Sequence, residues 1–360
     1  MNDLSSLTTK MICGLDLGDK KSQVCVCAAD GEVLEQAQVN TTVEGLARFF
    51  ENRAALRIAL ETGTHSPWVS RLLRKWGHEV VVANPRKVRL IGHSRRKNDR
   101  LDALSLADLL SVRPRLLHPI QHVSAQAQAD RGVLRSRDAL VRARSGLINH
   151  ARGLVKAIGG RLPSCSAEAF ASKAALVVPG ELGPALSPLL AQIAQINVTI
   201  KDYDRQIAEL LRTRYPETQR LRQIRGVGPI TALAYVLCLG DPHRFRKSRV
   251  VGAYLGLVPA QRDTGQSTPQ LRISKEGNPF VRKLLVQCAQ YILGPFGTDS
   301  DLRRFGQRLA GVGGKNAKKR AIIAVARKLS VVMHRLLVTR QPYQALRGEP
   351  VGQVKTKTAA

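Results

Sequence analysis

The sequence has few aromatic residues and few acids relative to its cations. Phe, Trp and Tyr make up 4% of the 360 residues, too few for a platform that stacks single-stranded bases on aromatic rings. Asp and Glu number 27 against 57 Lys and Arg, so the formal net charge is +30. Such an excess is far beyond what solubility needs, and it indicates a polyanionic partner, with nucleic acid as the leading candidate.

Metal-type cysteine spacing and long apolar runs are also missing. The six cysteines form no C-x-x-C pair and no Cys/His spacing suited to zinc, so we expect free thiols in a reducing cytosol. Cys25 and Cys27 alternate along an expected strand and should face the same side of it as core residues. No run of about 18 apolar residues and no apolar signal core is present. These absences predict a cytoplasmic protein with no membrane partner.

An apolar content of 44% can fill the cores of two or more domains. Residues 11–40 predict three short strands, with a hairpin turn at Asp30-Gly31. The sequence TTVE at 41–44 offers a capping box for a helix through Phe50. A strand at RIALE, a helix at SPWVSRLLRKW and a strand at HEVVVA should follow. This order predicts an α/β domain that ends near residue 120.

The rest of the chain predicts helices. Apolar residues at three- and four-residue steps from about 124 to 158 and from about 187 to 215 are typical of a coiled coil or helical arm. The Gly- and Pro-containing stretch 159–188 between them predicts a hinge or loop. After Pro216 the pattern changes to short helices and glycine-rich turns, and the tail 348–360 is expected to be disordered.

Two later segments could hold phosphate. GVGPITALA at 226–234 resembles the hairpin of a helix-hairpin-helix motif, and it is equally well explained as a Gly turn with Pro at the first helical position. KNAKKRAIIAVARKLSVVMHRLL at 315–337 predicts a basic amphipathic helix. A solvated cationic face is the plainer explanation, but the global charge favours phosphate contact by four residues: Lys315, Lys318, Lys319 and Arg320.

Four acids occur where apolar strands end or a helix begins. Asp16 ends the first strand in GLDLGDKK, and Glu61 ends RIALE. Asp99 and Asp102 lie three apart in RRKNDRLDALSLADLL, on one face of a helix that starts near Asp99. Helix capping explains that pair alone. Together the four suit two divalent cations in phosphodiester chemistry, with Mg²⁺ as the expected metal. The neighbouring cations would then hold a DNA strand: Arg95, Arg96, Lys97 and Arg100.

A different class of enzyme competes for the same motif. GLDLGDKK is also similar to the first phosphate loop of actin-like ATPases and sugar kinases. Such an enzyme should carry a second Gly-rich phosphate loop and an adenosine motif, and only ETG at 61–63 suggests one. A kinase does not need a charge of +30, and a nonenzymatic nucleic-acid scaffold would leave the four acids unexplained.

The motifs taken in order resemble one family. DxG at Asp16, ALETG at Glu61, NPRKVR at 84–89 and KNDRLDALSLA precede a helical stretch. GVGP, YLGLVP, a TG-containing loop, ISKEGNPFVRKLL and KKRAIIAVARKL follow it. Over residues 11–340 the chain resembles the DEDD insertion-sequence transposases with a RuvC-like domain, the bridge-RNA-guided recombinases.

This resemblance implies a fold and a function. The expected domains are RNase H-like (RuvC-like) at 11–120, a coiled-coil arm at 121–215 and a mainly helical C-terminal transposase domain at 216–340. Asp16, Glu61, Asp99 and Asp102 would be the Mg²⁺ ligands. The implied partners are double-stranded donor and target DNA and a structured noncoding RNA, bound by a dimer that assembles into a tetramer on a prokaryotic nucleoid. Lys275 and Arg282, in the ISKEGNPFVRKLL motif, are expected to contact nucleic acid.

The nucleophile motif departs from the family pattern. In LVPAQRDTGQSTPQLRIS the family usually has a serine directly before the glycine, whereas this chain has Thr264 there and Ser267 three residues later. A hydroxyl nucleophile needs exposure and a flexible mount. Serine is less hindered than β-branched threonine, so Ser267 is preferred and Thr264 stays open. Both could also be ordinary polar loop residues, in which case a RuvC-type junction endonuclease that only hydrolyses DNA is the alternative function.

Overall fold

Residues 11–84, 99–262, 265, 267, 269 and 271–346 are described by the computed structural model, with the backbone alone at Asp99. The chain divides into two units, Met1–Ala125 and Gln126–Ala360. Among the described helices, none has the length and apolar character that crossing a membrane requires. The predicted tail at 348–360 lies outside the described residues.

The first unit is a mixed α/β layer structure. The central sheet has the strand order β3-β2-β1-β4-β5, in which β1, β4 and β5 are parallel and β2 runs antiparallel to both neighbours. This arrangement confirms the predicted meander followed by alternating helices and strands. The elements are β1 Ile12–Asp16, β2 Lys21–Cys27, β3 Val33–Asn40, α1 Val43–Phe50, β4 Arg57–Glu61, α2 Ser66–Lys75, β5 Glu79–Ala83 and α3 Asp99–Val112.

The two faces of the sheet bury different helices, because successive side chains on a strand point to opposite sides. Leu15 and Leu60 pack on the side of α1 and α2, in a core that includes Phe50. Ile12 and Ala59 pack on the other side, against α3. Gly14 lies at the crossing point, where an added Cβ would collide with the carbonyl of Ala103. A glycine is therefore required for α3 to approach β1 this closely.

Two local predictions for this unit have different outcomes. Cys25 and Cys27 are both buried with their Sγ atoms 3.8 Å apart, and all six cysteines are free, as predicted. The capping box is wrong in its detail. Helix α1 is capped by Thr42, whose side chain accepts the N–H of Gly45, and Thr41 does not cap it. The Thr41 hydroxyl, directly after β3, instead bonds to the Ser22 hydroxyl at 2.7 Å and to the carbonyl of Gly18 at 3.0 Å.

The second unit is helical in its described part. Two long helices, α4 (Ala125–Ala157) and α6 (Gly183–Thr213), are linked by the ion pair of Arg137 with Asp204 at 2.6 Å and by the hydrogen bond from Arg144 to Asn197 at 2.7 Å. The other helices enclose a core in which α8 is almost wholly buried. The elements are α4 Ala125–Ala157, α5 Phe170–Ala175, α6 Gly183–Thr213, α7 Thr218–Arg222, α8 Pro229–Leu239, α9 Val250–Tyr254, α10 Pro279–Leu293, α11 Asp301–Gly311 and α12 Ala317–Thr339.

The stretch 159–188 differs from the predicted hinge or loop. It contains α5 and the start of α6, and Phe170 and Leu186 are fully buried in a small core against α4. Pro184 occupies the first turn of α6, where its missing N–H costs nothing, and Pro188 is tolerated inside the same helix. The loop prediction is thus right for residues 159–169 and 176–182, which join α4 to α6 outside any α-helix, and wrong for α5 and the start of α6. The division into an arm and a separate C-terminal domain stays a prediction.

Candidate active site

Asp16 and Glu61 end two neighbouring parallel strands. Strand β1 pairs with β4 in a register that sets Leu15 against Leu60, so the acids are the next residues on each strand. Paired residues on adjacent strands lie about 5 Å apart between Cα atoms and point to the same face. Both side chains are half-buried. The structure therefore places these two predicted site residues side by side on the face that α3 covers.

Helix α3 carries the remaining two acids. Asp102 is half-buried and directly precedes Ala103, the residue that α3 presents to Gly14 on β1. Gly14 is two positions before Asp16 on the same face of the strand, which brings the N-terminal part of α3 to the acid side of the sheet. Asp99 begins the helix as predicted, but its side chain lies outside the description. The convergence of all four carboxylates stays a prediction.

A histidine that the sequence analysis did not select lies beside these strands. His65 Nε2 is 3.4 Å from Asp19 Oδ1, and this contact joins the loop after β1 to the loop after β4. The indole N–H of Trp68 donates to His65 Nδ1 at 3.0 Å. No sequence motif marks a histidine two residues before the proline that starts a helix. Only its three-residue spacing from Trp68 indicates that the two side chains can meet.

The loop after Glu61 is held rigidly by a buried hydroxyl. Ser66 Oγ accepts the N–H of Gly63 at 3.0 Å and lies 2.9 Å from both the Gly63 carbonyl and His122 Nε2. Ser66 is fully buried, so its pairing with a histidine fixes the loop and does not offer a nucleophile to DNA. These hydrogen bonds fix the backbone of the loop at the carboxyl end of β4.

The donor chemistry of the acid set suits a hard divalent cation, because Mg²⁺ prefers carboxylate oxygens and usually keeps waters or takes substrate phosphates as further ligands. Within the described residues, no three His, Cys, Asp or Glu side chains are grouped closely enough to hold a metal ion. The adjacent Asp16 and Glu61 could supply two ligands, and Asp102 on α3 is the candidate for a third. A site of this kind would be completed by DNA phosphates.

The predicted nucleophile loop lies in sequence between the two sides of an antiparallel hairpin stem in the second unit. Ala260 N–H donates to the carbonyl of Arg272 at 2.8 Å, and Ser274 N–H donates to that of Val258 at 2.9 Å. Pro259 faces Ile273 across this antiparallel stem. Ser267 lies beyond the stem and is exposed, as a nucleophile needs to be, whereas Thr264 lies outside the described residues.

The base of the hairpin is braced by Arg282. Its Nη1 donates to the carbonyls of Leu255 at 3.1 Å and Glu276 at 2.8 Å, one on each side of the stem. Gly256 has a φ of +67°, and a Cβ there would collide with the backbone of Glu276. Arg282, predicted to contact nucleic acid, thus has a structural role at this base. Its contact with nucleic acid stays a prediction.

Some of the other residues predicted to contact nucleic acid are described by the structure, and those cations are exposed. Lys275 is exposed beside the hairpin base, with a left-handed φ of 56°. Arg100 is exposed in the first turn of α3, and all four cations around the start of α12 are exposed. Gly228-Pro229 starts α8 with proline in the first turn, which leaves both explanations of GVGP open. Arg95, Arg96 and Lys97 lie outside the described residues.

Comparison with known proteins agrees with both halves of the motif series. A DEDD transposase family model matches residues 13–159, and a model described as "Transposase IS116/IS110/IS902 family" matches residues 218–299. The transposase for insertion sequence element IS1328 of Yersinia enterocolitica is 32% identical over 284 residues, 77% of this chain and 82% of that protein. The chain belongs to the IS116/IS110/IS902 family of transposases.

Other relatives of this transposase match over nearly its whole length. The transposase for insertion sequence element IS1111A of Coxiella burnetii is 28% identical over 344 residues, 92% of this chain and 91% of the relative. A probable family 20 transposase of Pseudomonas aeruginosa is 29% identical over 347 residues, 92% and 98% of the two chains. This transposase is therefore an enzyme that acts on DNA in transposition, and the ATPase interpretation of GLDLGDKK is not favoured.

Proposed function

We propose that this transposase cuts and rejoins donor and target DNA strands with a metal-binding acid set on an RNase H-like domain and a hydroxyl nucleophile on the hairpin. The observation that carries the proposal is the side-by-side placement of Asp16 and Glu61 at the carboxyl ends of β1 and β4, on the face covered by α3. Asp and Glu are normally exposed, so packing alone rarely explains an acid at the end of a buried strand.

The acid set has a defined part in this chemistry. Asp16, Glu61, Asp102 and Asp99 would hold Mg²⁺, which when bound would lower the barrier to attack at phosphorus by neutralising charge. By holding the Mg²⁺ charge at the sheet edge, the carboxylates would set where the scissile phosphate binds. His65 and Ser66 keep the loop after Glu61 in place.

A serine or threonine hydroxyl carries the covalent step. The Oγ of Ser267 forms a bond to phosphorus, the bond from phosphorus to one DNA oxygen breaks, the hydroxyl proton passes to a base, and the released DNA oxygen takes a proton. In the rejoining step a DNA hydroxyl forms a bond to the same phosphorus and the serine Oγ leaves with a proton. The phosphodiester bond energy is preserved, so no other energy source is needed.

Three further features belong to the proposal through the family. A structured noncoding bridge RNA selects donor and target DNA, the active assembly is a dimer that forms a tetramer, and the protein works on the prokaryotic nucleoid. The net charge of +30 supports a large nucleic-acid surface. Sequencing of RNA that copurifies with the full chain tests the RNA partner, and a single discrete RNA species is expected.

Isosteric loss of charge tests the acid set. Glu61→Gln and Asp102→Asn should each lower DNA cleavage at saturating Mg²⁺ at least about a hundredfold, with DNA affinity retained, because only the metal-dependent step is lost. The matched control is Asp108→Asn, an exposed acid on the same helix. Cleavage that survives in both acid variants would remove these residues from the site.

Removal of single hydroxyls tests the nucleophile. Ser267→Ala should abolish the protein-linked DNA adduct on denaturing gels and leave DNA binding intact, and Thr264→Ala should do less. Ser274→Ala, which removes a hydroxyl from the stem of the same hairpin, is the control. An adduct that is lost only in Thr264→Ala moves the role to Thr264. Cleavage with no adduct in any protein would favour the hydrolytic junction endonuclease.

A further inference from the structure

The segment between α8 and α9 is a cation-rich loop of the described chain that the sequence analysis did not select. Five basic side chains occur in its sequence, DPHRFRKSR at 241–249, against one acid. We name residues 243–249 the basic loop. Arg246, Lys247 and Arg249 are exposed, and none of the three makes an ion pair or side-chain hydrogen bond with another residue of the described chain.

The basic loop is held in place by its neighbours. Asp241 Oδ1 accepts the N–H of His243 at 2.8 Å. Arg244 Nε donates to the carbonyl of Leu239 at 3.0 Å, and its guanidinium lies 4.4 Å from the ring centre of Phe245 and 4.8 Å from that of Tyr254. The rings of Phe245 and Tyr254 pack edge to face. The loop is thus ordered although it carries adjacent like charges.

A buried histidine supports the loop from α12. His334 is 1% exposed, with Nε2 2.9 Å from the carbonyl of Pro242 and Nδ1 2.9 Å from Ser248 Oγ. A carbonyl can only accept, so Nε2 carries the hydrogen and Nδ1 accepts from the serine. Burial lowers the pKa of His334, which favours this neutral form. Its ring also packs edge to face on Phe245. Both ends and the middle of the segment are therefore anchored to one side chain.

Fixing three unpaired cations within four residues raises their mutual repulsion, and a flexible loop would let them separate. A bound polyanion would offset this repulsion. Its binding is also favoured because the counterions condensed on the polyanion are released. The half-buried Phe245 already contacts Arg244 and His334, so its ring is not free to stack on unpaired bases. These features favour contact with phosphates along a duplex and not with bases.

We propose that the basic loop binds the phosphate backbone of double-stranded DNA, with Arg246, Lys247 and Arg249 as the contacting residues and His334 as the residue that positions them. The choice of DNA rests on the proposed function, in which DNA duplexes are the substrates. Backbone contact carries no sequence information, so this surface would set affinity and orientation for donor and target alike.

Charge removal in the full chain tests the contact. The triple variant Arg246→Gln, Lys247→Gln, Arg249→Gln should bind a duplex of arbitrary sequence roughly tenfold or more weakly at low salt. Its slope of log affinity against log salt should flatten by roughly two to three, since each phosphate contact contributes about 0.9. The control, Arg142→Gln, Arg205→Gln, Arg212→Gln, removes the same charge from exposed residues that each pair with a carboxylate. The control should leave the slope nearly unchanged.

A second variant tests the support without changing any charge. Ser248→Ala removes the hydrogen bond to His334 Nδ1 and should weaken duplex binding severalfold, at a melting temperature that shows the protein still folds. Equal losses in both triple variants would mean that only total charge matters, and the proposal would be wrong. A loss seen with a folded RNA but absent with duplex DNA would also overturn it. The binding assay does not depend on strand transfer. Failure of this proposal is therefore distinguishable from failure of the proposed chemistry, which the cleavage assay of Glu61→Gln tests.

Discussion

At the scale of single residues, the hydrogen bond from Trp68 determines how His65 can act. An indole N–H only donates, so His65 Nδ1 must accept and Nε2 carries the hydrogen that faces Asp19. Asp19 is 92% exposed, whereas His65 is 27% exposed and packed edge to face on Trp68. We therefore expect His65 to act through the loops that follow Asp16 and Glu61, as a positioning residue.

His65→Ala should lower cleavage about tenfold and raise the Mg²⁺ concentration that gives half-maximal rate, because outer groups that orient a metal site typically contribute 10- to 100-fold. A Mg²⁺ titration of the cleavage rate measures both effects. His65→Gln, which can still accept from Trp68, should recover part of the loss. An alanine variant with an unchanged Mg²⁺ dependence would limit His65 to folding stability.

At the scale of elements, the positions of the proposed site residues depend on how α3 packs on β1 and on how the hairpin stem is braced. Helix α3 approaches β1 only because Gly14 has no Cβ, and this approach brings Asp102 to the acid face of the sheet. The hairpin keeps Ser267 exposed on a stem whose base is clamped by Arg282. Both devices fix the backbone from which the proposed site residues project.

If Arg282 acts only as a brace, Arg282→Ala should reduce the DNA adduct about tenfold or more while DNA affinity and its salt slope stay the same. The physical reason is that the two charge-assisted hydrogen bonds at the hairpin base are worth about 1–3 kcal/mol, and their loss lets the tip move. Adduct yield on denaturing gels and a salt titration of binding give the two readouts.

The control for this variant is Lys275→Ala, an exposed cation beside the same base. If Lys275 contacts phosphate, its removal should flatten the salt slope by about one and leave the hairpin intact. A similar change of slope in Arg282→Ala would instead mean that Arg282 also contacts nucleic acid.

At the scale of the whole molecule, the net charge of +30 is maintained at a cost to local stability. Lys318, Lys319 and Arg320 lie in the first turn of α12, where the helix dipole disfavours cations and no acid is present. Asn316 at the start of the helix makes no capping hydrogen bond through its side chain. A bound anion would offset this unfavourable arrangement.

Replacing Lys315, Lys318, Lys319 and Arg320 by glutamine should therefore have opposite effects on stability and binding. The melting temperature should rise, since each first-turn cation costs about 0.3–1 kcal/mol. Affinity should fall for all DNA sequences alike, and the salt slope should flatten by roughly three to four. Thermal melts and salt titrations on several duplexes measure the two effects. A loss confined to one DNA sequence would show base readout and contradict the backbone interpretation.

The sequence by itself determined the features that depend on near neighbours and on totals. The excess of Lys and Arg indicated a nucleic-acid partner, and alternating apolar runs predicted the strands of the first unit. Asp16 and Glu61 could be selected because each ends an apolar strand. In the stretch 159–188 the predicted hinge or loop missed α5 and the start of α6, because the burial of Phe170 and Leu186 against α4 outweighed the local Gly and Pro signal for a break.

Only the tertiary structure decided which residues support the site, because those contacts join positions far apart in the chain. Asp19 and His65 are 46 residues apart, and Pro242 and His334 are 92 apart. No local pattern records such pairs, since a histidine or arginine has the same spacing signature whether it faces solvent or clamps a loop. The role of Arg282 as a brace and of His334 as the support of the basic loop follows from packing, where burial leaves a polar side chain stable only beside a partner.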